Sequence, residues 1–175
     1  MHLFQNLVSR EKAFYRDKIR AEWKDEWKRS QKGGHLRRID GMLPSIRARR
    51  LYDTLPRNRA YLLTQLRTGH SWLATHAKLY KLREDDRCEC GAIETVVHVL
   101  VDCPKLINLR QKLRREIGDA FNDISIMLGG RGQGKQEGKI SSSMQIGSLK
   151  AVLDFAEASH RFLSRIPRQP GQHRP

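Results

Sequence analysis

The chain has 175 residues, 38% of them apolar and 30% charged, with a mean hydropathy of -0.66, so it holds enough apolar side chain for one small core but not enough to bury every segment. No run approaches the roughly 18 apolar residues of a membrane span, and the start of the chain lacks the apolar block of a secretion signal, so an intracellular location, nuclear or cytoplasmic, is expected. With 34 Lys and Arg against 19 Asp and Glu, a net charge of +15, the surface attracts polyanions and releases their counterions on binding.

The first predicted element is one amphipathic helix from Leu3 to about Arg29, in which Leu3, Leu7, Phe14, Ile19, Trp23 and Trp27 recur at helical spacing among charges. Gly33 and Gly34 stop it, and His35 to Leu43 reads as an irregular connector before Pro44. A second helix starts at the cap Ser45 and runs towards Thr54, where Pro56 breaks it. A third, Arg57 to Arg67, turns Tyr61, Leu62, Leu63 and Leu66 inward, and a fourth from His70 or Ser71 to about Leu79 buries Trp72, Leu73 and Leu79.

Thr95 to Val101 is expected to be helical, and Pro104 opens a sixth helix that carries Leu106, Ile107, Leu109, Leu113 and Ile117 up to Gly118. Phe121 to Leu128 closes the core. A last helix, Gln145 to Leu163, uses Ile146, Leu149, Val152, Leu153 and Phe155. The expected organisation is therefore a mainly α fold: a basic helical arm over 1–34, a helical core over 35–128 stapled by one structural zinc, a flexible Gly/Lys/Gln/Ser-rich linker over 129–143, a C-terminal helix over 144–166 and a disordered tail over 167–175.

The zinc expectation rests on one window. Cys88, Cys90, His98 and Cys103 follow the pattern C-x-C-x7-H-x4-C and include every cysteine of the chain. An odd number of clustered cysteines is a poor disulfide framework. Thiolates two residues apart lie on one side of an extended segment, Gly91 supplies the turn, and the following element closes a tetrahedron. Five residues of straight helix rotate the chain by about 140°, so the helix has to loosen between His98 and Cys103, and Pro104 biases Cys103 away from helical geometry. Four protein donors with no open position describe a structural zinc. The plain alternative is three buried cysteines beside an unrelated histidine.

Charge is segregated along the chain: 17 Lys and Arg against 7 Asp and Glu over 1–67, 4 against 6 over 68–103, and 13 against 6 over 104–175. The candidate phosphate contacts are Arg37, Arg38, Arg47, Arg49, Arg50 and Arg67, with Lys112, Arg114 and Arg115 as a second patch. Arginine suits bidentate phosphate contacts; ordinary solvated helix faces are the alternative. Trp23, Trp27 and Trp72 sit at core-like spacing, though aromatic rings also stack on bases. His70 either packs at a helix start or assists a phosphate or the metal.

The run Leu63-Thr-Gln-Leu-Arg67-Thr-Gly69-His70-Ser-Trp72-Leu, followed by Cys88-x-Cys90-Gly91, Glu94-Thr95-Val-x-His98 and Asp102-Cys103-Pro104, resembles the C-terminal segment of non-LTR (LINE-type) retrotransposon polyproteins, most closely that of fungal Tad-like elements. The resemblance extends to Trp23–Leu51 and Val152–Arg165. It implies an accessory region that follows the reverse transcriptase and often an RNase H domain, and that handles RNA or target DNA during target-primed reverse transcription. It does not imply an enzyme. The chain has no Tyr-x-Asp-Asp motif, and Asp17, Glu22, Asp25 and Glu26 read as a solvated helix face. Besides nucleic acid, self-association through the terminal helices or a polymerase partner is possible, and so is a helical interaction module or a fragment reused by its host in a regulatory role.

Overall fold

The computed structural model describes residues 2–41, 46–132 and 142–162, with side chains over 9–41, 48–132 and 144–162. The expected cap Ser45, the middle of the expected linker and the tail lie outside the described residues. The fold is mainly helical, with no strand among the described residues. Eight α-helices follow in order among the described residues: α1 His2–Arg29, α2 Gly34–Ile39, α3 Ile46–Asp53, α4 Arg57–Thr68, α5 Ala74–Leu79, α6 Ile107–Ile117, α7 Ile124–Met127 and α8 Ser142–Ser159.

The core is built from α4, α6, α7 and α8. In α4, Leu62, Leu63 and Leu66 share a face and are buried. Pro56 precedes the helix in extended conformation, and Gly69 ends it at φ +76°, where its N–H reaches the Gln65 carbonyl and a side chain would be strained. In α8, Leu149, Val152, Leu153 and Ala156 form a four-residue-periodic stripe, each at most 3% exposed, and this stripe packs chiefly on α6 and α7. Each of the leucine and valine side chains contributes about 1.5–3 kcal/mol of transfer free energy. Arg59 ties α4 to α8 from the rim, 2.6 Å from Asp154 and 2.7 Å from Glu157.

Several expectations change. Residues 35–39 are not a connector: α2 forms there, and Ile39 is buried with the helix against α4 and α7. Tyr61, Leu79, Ile107 and Ile146 point to solvent, as does Trp23 at 60% exposure. The fourth helix begins only at Ala74. The stretch taken for the start of a linker is packed: Gly129 and Gly130 are buried. A Cβ at Gly130 would collide with the Ile39 carbonyl and the Ser125 hydroxyl, while Gln145 Nε2 donates to the Gly130 carbonyl. The C-terminal helix is thus part of the core, to which the described side chains of α1 contribute none of the buried residues.

Candidate metal centre

The centre is assembled by a tight turn and a π-helical turn. Cys88 N–H donates to Ala92 O and Gly91 N–H to Cys88 O, both at 2.8 Å, and Arg87 bridges Ile93 antiparallel. Gly91 at φ +90° makes the reversal. Thr95 then starts the next turn, its hydroxyl accepting from His98 N–H at 3.0 Å. From His98 to Asp102 the backbone is a π-turn, closed by Cys103 N–H donating to His98 O at 2.7 Å. The expected loosening is real: the wider turn swings Cys103 round to the face of His98.

As a result the Sγ atoms of Cys88, Cys90 and Cys103 and a ring nitrogen of His98 all lie within 4.8 Å of one another. Cys88 Sγ is 3.7 Å from Cys103 Sγ, and Cys90 Sγ is 3.3 Å from His98 Nε2. A tetrahedron with the usual zinc–sulfur and zinc–nitrogen bonds has edges of about 3.8 and 3.5 Å. The donor set therefore fits zinc in both chemistry and size.

Electrostatics favour anionic sulfur at Cys88 and oppose it at Cys103. Burial pushes the Cys88 thiol up, but hydrogen bonds from the Cys90 backbone N–H and from His98 outweigh it and draw the thiol down to about 6. Burial and the neighbouring Cys88 hold Cys103 up at about 11, against a hydrogen bond from the Lys105 backbone N–H. A divalent cation relieves that conflict, since it takes all three sulfurs as thiolates and releases their protons.

The chain is similar to a retrotransposon protein. Over 111 residues, 61% of its length, it is 31% identical to the Retrovirus-related Pol polyprotein from type-1 retrotransposable element R1 of Popillia japonica, and it spans 39% of that protein. The similarity supports descent from a retrotransposon polyprotein. No family model and no solved structure matches.

Around the sulfurs lies a shell that sequence reasoning missed. Arg161, just beyond α8, donates to Cys88 Sγ at 3.0 Å and to Glu89 Oε1 at 2.7 Å, and sits 2.9 Å from Glu94 Oε1. Glu94, 3% exposed, also accepts from the first N–H of α5, Ala74, at 2.7 Å. Arg110 is buried, donating to Leu100 O at 3.3 Å and to Cys103 O. Two guanidinium groups thus face a centre that three thiolates and a divalent cation would leave one unit negative. Only the Glu94-Thr95 run pointed to any of this in the sequence; Arg110 and Arg161 carry no local signal.

The candidate phosphate contacts fall apart into groups. Arg38 is exposed on α2, and Arg49 and Arg50 on α3, with Arg49 3.8 Å from Asp53; the Arg47 side chain lies outside the described residues. Lys112, Arg114 and Arg115 are exposed on α6, with Lys112 3.9 Å from Glu116 and Arg114 over the Phe121 ring at 4.5 Å. Arg37 is half-buried, donating to Trp27 O and Lys32 O. Arg67 is a correction: it is 3% exposed and pairs with Asp40 and the Leu128 carbonyl, so it locks α4 to the end of α2 and offers no donor to a phosphate. His70 is exposed and stands beside His76, ring centroids 5.1 Å apart, away from the cysteines. Among the described residues no helix is long and apolar enough to cross a membrane.

Proposed function

We propose that the chain is a zinc-stabilised, basic accessory segment of a non-LTR retrotransposon polyprotein, of the Tad-like kind, that binds RNA or DNA inside the cell through phosphate contacts and performs no catalysis itself. The observation that carries this reading is the closed cluster of Cys88, Cys90, His98 and Cys103, a donor set complete without substrate, within a chain of net charge +15. Zinc held there would supply cross-linking of the turn, the π-turn and α6, not reactivity. The chain's own residues do the rest: Arg110 and Arg161 balance the thiolates, and Arg38, Arg49, Arg50, Lys112, Arg114 and Arg115 present cations to a backbone.

The test is elemental mass spectrometry of the purified protein, followed by fluorescence anisotropy with RNA and DNA over a salt series. One zinc per chain is expected, with affinity falling steeply as salt rises. Arg49→Ala with Arg50→Ala should lower the salt slope on duplex DNA by up to about 2 units. A folded protein with no zinc, or with no affinity for either polymer, defeats the proposal.

A further inference from the structure

α1 is 28 residues long, and among its described side chains Tyr15 is 55%, Ile19 50% and Trp23 60% exposed. At about 100° per residue, a window of about 80° either side of Trp23 collects Lys12, Tyr15, Arg16, Arg20, Trp23 and Trp27 around Ile19. Glu26 is the one acid in that window; Glu11, Glu22 and Asp25 project elsewhere, and Asp17 lies at the edge of the face, 3.7 Å from the Arg20 guanidinium. The stripe covers about 22 Å of helix. At its end Trp27 is half-buried, its Nε1 donating to Asp40 O at 3.3 Å, and the Arg37 guanidinium lies 5.5 Å over its ring, so the face is anchored to α2 there.

We infer that this face of α1 is a stacking platform for single-stranded nucleic acid, with Trp23 and Tyr15 taking bases and Lys12, Arg16 and Arg20 taking the flanking phosphates. The inference rests on the proposed nucleic-acid function and says which surface and which form of polymer serve it. Two features select this occupant. The face alternates aromatic rings with cations, the combination that single strands use, because every base offers a π-face and every linkage a charge. The same alternation is unfit for a helix partner: Ile19 is the lone large aliphatic side chain between Lys12 and Trp27, and a second copy would bury Arg16 and Arg20 at the seam.

The experiment measures binding of the full, metal-loaded chain to fluorescein-labelled oligouridylate and to duplex DNA of equal length, for the wild type, Trp23→Ala, Trp23→Phe and Lys12→Ala with Arg16→Ala. Trp23→Ala should weaken oligouridylate binding roughly 5- to 150-fold while leaving the salt slope and duplex binding unchanged. Trp23→Phe should retain most of the affinity but lose the tryptophan quenching seen on binding. The double Lys/Arg variant should lower the single-strand salt slope by up to about 1.4. Wild-type affinity in Trp23→Ala overturns the inference and leaves the proposed function standing, whereas a wild type that binds neither polymer overturns both. A wild-type dimer that Trp23→Ala converts to monomer, with affinity intact, overturns the inference in favour of self-association. Trp23 packs on nothing in the core, so circular dichroism of the variants should match the wild type.

Discussion

The helix α8 and the helix α1 obey the same rule of three- and four-residue spacing and end in opposite environments. In α8 the stripe is Leu149, Val152, Leu153 and Ala156, closed under α6 and α7. In α1 it is Tyr15, Ile19, Trp23 and Trp27, interleaved with cations and mostly open to solvent. Periodicity announces that a helix has a face. The composition of the face, aliphatic and uncharged or aromatic and cationic, decides whether the rest of the chain covers it.

Metal removal should separate the two regions most sharply. Structural zinc contributes about 10–16 kcal/mol in small domains, comparable with the whole stability of a typical domain, about 5–15 kcal/mol. Chelation, or Cys103→Ser at a fully buried position, should abolish hydrogen-exchange protection in α6 and α8 while exchange in the middle of α1 stays as fast as before. Protected α8 amides after chelation would show that the cluster is not the staple.

The next effect in size concerns the clamp between α8 and the metal centre. The Arg161 side chain is 11% exposed and that of Glu94 4%, so Arg161→Leu leaves a buried carboxylate without its cation, at a cost of about 3–5 kcal/mol. Adding Glu94→Gln should recover most of it, and denaturant midpoints read the difference. Within the helices themselves, Leu153→Ala should destabilise by about 2–5 kcal/mol, against at most about 0.5 kcal/mol for Ile19→Ala. Equal losses at Leu153 and Ile19 would mean that α1 is covered in solution.

Much of this was legible locally. The pattern C-x-C-x7-H-x4-C announces the metal cluster because turn and helix geometry are short-range, and even the loosening before Cys103 follows from counting residues. Helices α4, α6 and α8 each carry an aliphatic stripe, and α4 and α6 have Pro and Gly near their boundaries as well. What stayed hidden is set at long range. Helix α2 is six residues, too short to show a period, and exists because Ile39 finds α4 and α7. Gly129 and Gly130 read as linker because nothing nearby reveals the Leu51 side chain pressed against the first and the Ile39 carbonyl against the second. Arg67 looks like any basic residue until Asp40, 27 positions earlier, is brought beside it, and Arg161 reaches Cys88 across 73 positions.

The smallest predicted effect lies at the joint between the two regions. His35 on α2 places Nε2 2.8 Å from the Leu66 carbonyl, one of the last carbonyls of α4 and otherwise short of a donor, and its ring lies against Gly69. Burial lowers the His35 pKa from its ordinary value of 6.5, with the Leu66 hydrogen bond pulling the other way and Arg38 adding to the lowering. A histidine lowered in the folded state binds fewer protons there than in the unfolded chain, so stability rises with pH; the contribution is complete above 6.5 and is lost as pH falls below it. The metal ligands also take up protons on acidification and His76 is lowered as well, so the diagnostic is a difference: melting temperature of the wild type minus that of His35→Gln, across pH 5 to 8 at saturating zinc. That difference should shrink towards acid, because the glutamine keeps a donor for Leu66 without a proton to gain. A flat difference would mean that the ring is hydrated at the joint, and that the end of α2 moves with the arm instead of the core.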